Sequence, residues 1–222
     1  MKKLLLLFWT STVILSVAAF AWADMFHGVE FPGGAASFAD LVVSYDPIIK
    51  SGEPTAPYRN SSEALGIPNV GDSGVPIGYV SLSDGGSITL RFTDNSLTGS
   101  GTNAMDLWIF EIGPDVEDTF VEISKDGNTW YSVGKVFGST SGIDIDAFGW
   151  NQTDFFSYIR LTDDTNEGAQ SGATVGADID AVGAISSAPP VTNPVPEPST
   201  LLLLGSGLVG LVGYGRKKFF KK

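Results

Sequence analysis

Val121-Glu122-Ile123-Ser124-Lys125-Asp126-Gly127-Asn128-Thr129-Trp130 decides the fold. Apolar and polar side chains alternate through Ile123, the period of a strand with one buried face, which puts Val121 and Ile123 on the core side. Lys125-Asp126-Gly127-Asn128 then supplies residues suited to a chain reversal, and an aromatic side chain returns at Trp130. The stretch therefore reads as a β-hairpin.

The same grammar repeats outward from it. Residues 41–45, 79–82, 87–92, 106–111, 119–124, 130–134, 158–161 and 179–185 are short runs rich in aromatic and branched side chains, punctuated by Gly, Asn and Asp. No amphipathic helical repeat of useful length interrupts them, although residues 61–65 suit a single helical turn. The expectation is an all-β domain over residues 24–185, an antiparallel β-sandwich of jelly-roll type.

Both flanks of that domain read as targeting segments. Met1-Lys2-Lys3, an apolar run to Phe20 and the small residues Ala21 and Ala23 around Trp22 have the charged, apolar and cleavage regions of a secretory signal peptide over residues 1–23. The mature chain is expected to begin at Asp24, and the small residues argue against an uncleaved N-terminal anchor. At the other flank, residues 186–199 contain repeated prolines that hold a linker stiff and extended. Pro196 and Pro198 flank Glu197, so no helix runs through them, and one must start afresh near Ser199 or Thr200. The apolar run of some 15 residues within 200–215 covers only about 22 Å of a roughly 30 Å hydrocarbon core, a short anchor. Basic residues in the 216–222 tail stay cytoplasmic and let a short helix serve.

Pro196-Glu197-Pro198, a glycine-containing apolar helix and a basic end, in that order, resemble the PEP-CTERM sorting signal of exosortase substrates in Gram-negative bacteria. The resemblance implies export, transient inner-membrane anchoring through residues 200–215, cleavage near the Pro-Glu-Pro motif, and transfer to the cell surface or extracellular matrix. An ordinary single-pass anchor that is never cut is the competing reading. Gly205-Ser206-Gly207-Leu208-Val209-Gly210 matches a dinucleotide-binding spacing, but with no strand before it and no βαβ unit around it the match carries no nucleotide site.

Seven of the 13 Lys and Arg residues lie in the two targeting segments, which leaves residues 24–190 with 24 acidic and six basic side chains, a net charge of −18. Nucleic acid is excluded as a partner, because binding phosphates needs clustered cations. An acidic exported domain repels anionic polymers and attracts divalent cations. The absence of cysteine removes disulfides, thiol catalysis and thiolate metal sites.

The hairpin at residues 121–130, followed by Tyr158-Ile159-Arg160-Leu161, is similar to the discoidin branch of galactose-binding-like β-sandwiches. Families of that fold often bind glycans through loops at one end of the sandwich, so the resemblance implies exopolysaccharide as a candidate partner without fixing its identity. Acidic residues recur in pairs at Asp144 and Asp146, Asp163 and Asp164, and Asp178 and Asp180, with Glu111 ending a strand. In extended chain, positions i and i+2 share a side, so each Asp-Ile-Asp presents two carboxylates together. That suits an oxygen-preferring cation such as Ca²⁺, with Glu111, Asp163, Asp178 and Asp180 the first candidate ligands. Solvated turn residues are the other reading. Trp150, within Ala147-Phe148-Gly149-Trp150-Asn151-Gln152, is the aromatic best placed to stack on a sugar, whereas Trp108 and Trp130 lie in strand patterns and suit the core.

Catalysis has little support: His27 is the single histidine, and no nucleophile elbow or H-E-x-x-H run occurs. The chain reads as a non-enzymatic exported surface or matrix protein whose sandwich binds polysaccharide. A purely structural or adhesive matrix component comes second, and a glycan-active hydrolase using two carboxylates comes third.

Overall fold

The computed structural model describes residues 23–112, 117–168 and 170–191. The strands are β1 (Asp24–Phe26), β2 (Val29–Phe31), β3 (Leu41–Asp46), β4 (Val80–Ser81), β5 (Ser87–Arg91), β6 (Ser96–Leu97) and β7 (Leu107–Glu111). They continue with β8 (Thr119–Ser124), β9 (Tyr131–Val136), β10 (Thr140–Ile143), β11 (Tyr158–Asp163), β12 (Asp178–Ala184) and β13 (Ser187–Ala188). Every pairing among these strands is antiparallel.

One sheet has the order β3-β5-β11-β8-β9 and the other β10-β7-β12-β4. Their inner faces share one apolar core. Ile88, Leu90, Ile123 and Ile159 enter it from the five-stranded sheet, and Leu107, Ile109, Ile179 and Val182 from the four-stranded one. All eight expected strand runs occur, and the expected helical turn appears as a 3-10 helix, Ser61–Ala64, with the Asn60 side chain accepting from the Ser62 N–H.

The 121–130 stretch forms the expected hairpin, with Val121 and Ile123 both fully buried. Its turn is held by short side chains bonding to the backbone ahead of them. Ser124 Oγ accepts from Gly127 N at 2.9 Å, and Asp126 Oδ1 accepts from Asn128 N and Thr129 N at 2.8 Å each. The returning strand starts at Tyr131, one residue after the expected position. Trp130 consequently misses the core: it is half-buried, and the Arg160 guanidinium sits 4.3 Å from its ring centroid. Arg160 also pairs with Glu122, its neighbour across the sheet, at 2.6 Å.

A second apolar layer covers the outer face of the four-stranded sheet. Strands β1 and β2 form a tight hairpin whose two loop residues, His27 and Gly28, have φ of 46° and 84°, the left-handed pair that such a reversal requires. The hairpin brings Val29 and Phe31 together with Phe38, Phe110 and Ala181. Gly183 lies beneath them, where a Cβ would come within 2.6 Å of the Phe31 ring. Trp108, half-buried, belongs to this outer layer rather than to the central core.

Strands β7 and β12 pair from Leu107 opposite Ala184 to Glu111 opposite Ile179. Asp106 therefore stands at one end of the sandwich, and Glu111 with Asp178 at the other. Among the described residues no helix is long and apolar enough to cross a membrane. The expected signal peptide up to Trp22, the motif Pro196-Glu197-Pro198, the 200–215 helix and the basic tail lie outside the described residues.

Ile123→Ala in the central core should cost about 2–5 kcal/mol of unfolding free energy in urea. Phe137→Ser, at a position 74% exposed, should stay within about 0.5 kcal/mol. Equal effects from the two would contradict the assigned inner and outer faces.

Candidate functional site

The four acids first expected to hold a cation are all buried, at 3% exposure for Glu111, Asp163 and Asp178 and 0% for Asp180. The fold gives them separate tasks. Asp163 fastens two loops, accepting from Gly85 N at 2.8 Å and Ala177 N at 2.7 Å. Asp180 accepts from Asn69 N at 3.0 Å and Val70 N at 3.4 Å, and burial pushes its pKa up to about 6 against those bonds. The irregular register between Ile179 and Ala181 breaks the strict alternation that would have set Asp178 and Asp180 side by side. Asp178 instead accepts from the Ser81 hydroxyl on β4, and Glu111 accepts from Glu117 N at 3.1 Å.

Glu111 and Asp178 both resist ionisation. Burial pushes Glu111 up to about 9, and the charges of Glu117 and Asp178 add to the shift. Burial pushes Asp178 up to about 8, with the charges of Glu117 and Asp163 adding to it and the Ser81 hydroxyl opposing. A carboxyl group in that state is held neutral by its surroundings near pH 7. Among the described residues, the trio of acids whose carboxylate oxygens lie within 4.8 Å of one another is at the opposite end: Asp106, Asp144 and Asp146.

That opposite end also carries an open cleft, lined by Thr98, Gly99, Ser100, Gln152, Ser186 and Ser187 among others. Its walls are mainly hydroxyl, amide and backbone groups. Asp146 shapes one wall by accepting from Ser100 N at 2.8 Å and Gly101 N at 3.1 Å, and Gln152 Nε2 donates to Ser100 O at 2.6 Å. Trp150 lies two residues from Gln152 and is half-buried. Its ring meets Tyr131 at 4.7 Å and Phe156 at 5.1 Å, both edge-on, with Lys125 Nζ 5.5 Å from the ring centroid. Ala23, beside the expected signal cleavage, is exposed, and Ala21 lies outside the described residues.

The sequence marks Asp106 only as the start of a strand. Its partners Asp144 and Asp146 were visible as a pair, but the strand pairing that joins them to Asp106 is long-range and leaves no local pattern. The Gly99–Gln152 cleft likewise depends on a meeting of distant loops.

Residues 194–218 match the model of the PEP-CTERM protein-sorting motif, so the chain carries that motif as its Pro-Glu-Pro, apolar and basic segments led one to expect. The motif marks an exported protein sorted by an exosortase. No curated protein matches the chain. Among solved structures, the chain is similar to the C-terminal domain of a chitobiase from Bacteroides fragilis. That likeness has 14% identity and a TM-score of 0.28, and covers 43% of this chain and 62% of that one, so the match spans less than two thirds of the domain. It is also similar to CpGH89CBM32-6 of Clostridium perfringens, at 13% identity and a TM-score of 0.33, covering 67% of this chain and 92% of that one.

The raised acids set a pH dependence. Because Glu111 and Asp178 titrate above their ordinary values of 4.5 and 3.8, the folded chain holds protons that the unfolded chain releases between about pH 5 and 9. Their stabilisation is present at the acidic end of that window and lost as pH rises through about 8 and 9. Asp164, lowered to about 2 by Lys135, titrates beneath the window. In chelator, Tm should fall on the order of 5 °C from pH 5 to 9, and Glu111→Gln should flatten the slope. A Tm that climbs over this range would contradict the assignment.

Proposed function

We propose that the chain is an exported surface or matrix protein which is retained briefly in the inner membrane by residues 200–215, released by exosortase cleavage near Pro196-Glu197-Pro198, and displayed as a galactose-binding-like jelly roll that binds extracellular polysaccharide. The sorting motif at residues 194–218 carries the first half of this reading. The first residues of the expected 186–199 linker are part of the sandwich, since Ser187–Ala188 pairs with Ser96–Leu97 and Ser96 Oγ donates to Pro189 O. In this reading the proline-rich remainder of the linker holds the sandwich off the membrane until release. In this account the signal peptide 1–23 starts export, and the domain does no covalent chemistry.

The cleft supports the second half. Its Ser, Thr and Gln side chains and backbone groups offer donors and acceptors for sugar hydroxyls. Trp150, two residues from Gln152, packs against the core with Tyr131 and Phe156 and supports the cleft from behind in this reading. Glu111, Asp163, Asp178 and Asp180 serve the fold in this reading, as neutral or backbone-bonded groups that join loops. A structural or adhesive role is the second reading. It is favoured by the edge position of β3 and by the exposure of its Leu41 and Val43, at 45% and 50%, which present an apolar edge to a second copy.

Replacing Pro196, Glu197 and Pro198 with alanine should leave full-length chain in the membrane fraction; unchanged mass and fractionation would remove the exosortase step. For the sandwich, the mature chain should bind one class on a glycan array that includes the producing organism's exopolysaccharide. Gln152→Ala should weaken that binding by about tenfold, a loss of about 1.4 kcal/mol. A folded sample that binds no glycan, and that self-associates until Leu41→Lys disperses it, would favour the structural reading instead.

A further inference from the structure

We propose that Asp106, Asp144 and Asp146 form a calcium site that ties together the loops at the cleft end of the sandwich. Three carboxylate oxygens, one from each residue, lie within 4.8 Å of one another. Asp106 is fully buried, and its Oδ1 has no hydrogen-bond partner although its Oδ2 accepts from Ile145 N at 2.9 Å. A buried carboxylate oxygen left without a donor costs free energy, and at this position two further acids face it. None of the five ion pairs among the described residues involves these three acids. A divalent cation is the group that answers the unpartnered oxygen and the mutual repulsion together.

The surrounding backbone holds the acids in place as ligands. Asp144 Oδ1 accepts from Asp146 N at 3.0 Å, which fixes the two carboxylates relative to each other. Asp146 accepts from Ser100 N and Gly101 N, so those donors fix the position of its carboxylate. Asp106 is anchored on both sides by main-chain bonds, its N–H to Ile143 O and its carbonyl to Ile185 N, each at 2.8 Å. Asp144 and Asp146 are only half-buried, which leaves an entry path.

All the candidate donors are oxygens, and the Ser100 hydroxyl, which donates to Asp146 Oδ2 at 3.3 Å, adds a further one nearby. Hard oxygen donors on loops that can adjust to six or more ligands suit Ca²⁺. The ion would join the segment before β7, the segment after β10 and the Ser100 loop, which forms a wall of the cleft. The site stands whether or not the cleft holds glycan, because it rests on the acids alone.

The test uses the full chain in detergent, freed of metal by chelator and titrated with Ca²⁺ by calorimetry and by thermal unfolding. Binding should raise Tm by roughly 5 °C at saturation. Asp144→Asn should weaken Ca²⁺ affinity on the order of tenfold or more while leaving the metal-free Tm nearly unchanged. Asp106→Asn should lose the Ca²⁺ response; if it fails to fold, Asp144→Asn decides. Asp178→Asn, at the far end, should bind as the parent does. No heat and no rise in Tm would overturn the proposal, as would Ca²⁺ binding that survives in Asp144→Asn and disappears in Asp178→Asn. Glycan binding is scored separately, so a metal-free lectin or a calcium-bound protein that takes no glycan distinguishes this proposal from the proposed function.

Discussion

Burying carboxylates in a domain that has few cations is the constraint on which this structure turns. Eight acids are buried among the described residues, in a domain with six Lys and Arg side chains. Asp84 meets Lys50 and Asp164 meets Lys135, and other acids are accommodated by different means. Asp163 and Asp180 take backbone N–H donors, which satisfy a carboxylate without a countercharge. Glu111 and Asp178 are shifted far enough upward to remain neutral near pH 7. Asp106 takes a backbone N–H on Oδ2 alone, and its buried Oδ1 is left with no hydrogen-bond partner and no ion pair among the described residues.

The pairing of β7 with β12 distributes these solutions between the two ends of the sandwich. Its inner side chains fill the shared core, while its outer side, with Phe110 and Ala181, is sealed by the hairpin of β1 and β2. A sheet covered on both faces can expose function only at its ends and edges, since its flat surfaces are already used. One end gathers neutral acids and backbone-bonded loops, an arrangement that stiffens it. The other gathers a trio of acids beside a polar cleft, an arrangement that leaves chemistry free for a ligand. Selection of a glycan by hydroxyl and amide groups there would depend on how firmly the loops are held.

The strand content was legible because half-buried strands write their burial into a period of two, and turns such as Ser124–Thr129 use side chains whose local bonding is short-range. The sorting motif was legible for the same reason: its proline, apolar and basic segments are contiguous. The first hairpin passed unread, since Asp24–Phe26 and Val29–Phe31 are too short to show alternation, and only the tight His27-Gly28 link hints at them. Trp130 was misplaced by a single residue of turn length, enough to exchange the core for the surface under Arg160. Reading Asp178 and Asp180 as neighbours assumed an unbroken strand, and the shift in register beside Ala181 undoes it. Asp106 carried no local mark, because what makes it unusual is the arrival of residues from β10's far side.

The account joins an address at one end of the chain to a sandwich whose exposed chemistry is concentrated at one of its ends. Its central claim, that a cation completes the cleft end, is tested most directly by anomalous diffraction from crystals grown with a calcium-mimicking lanthanide. The account predicts one strong peak within coordination distance of Asp106, Asp144 and Asp146. A peak beside Glu111 and Asp178 instead, or none in a well-ordered cleft, would contradict it.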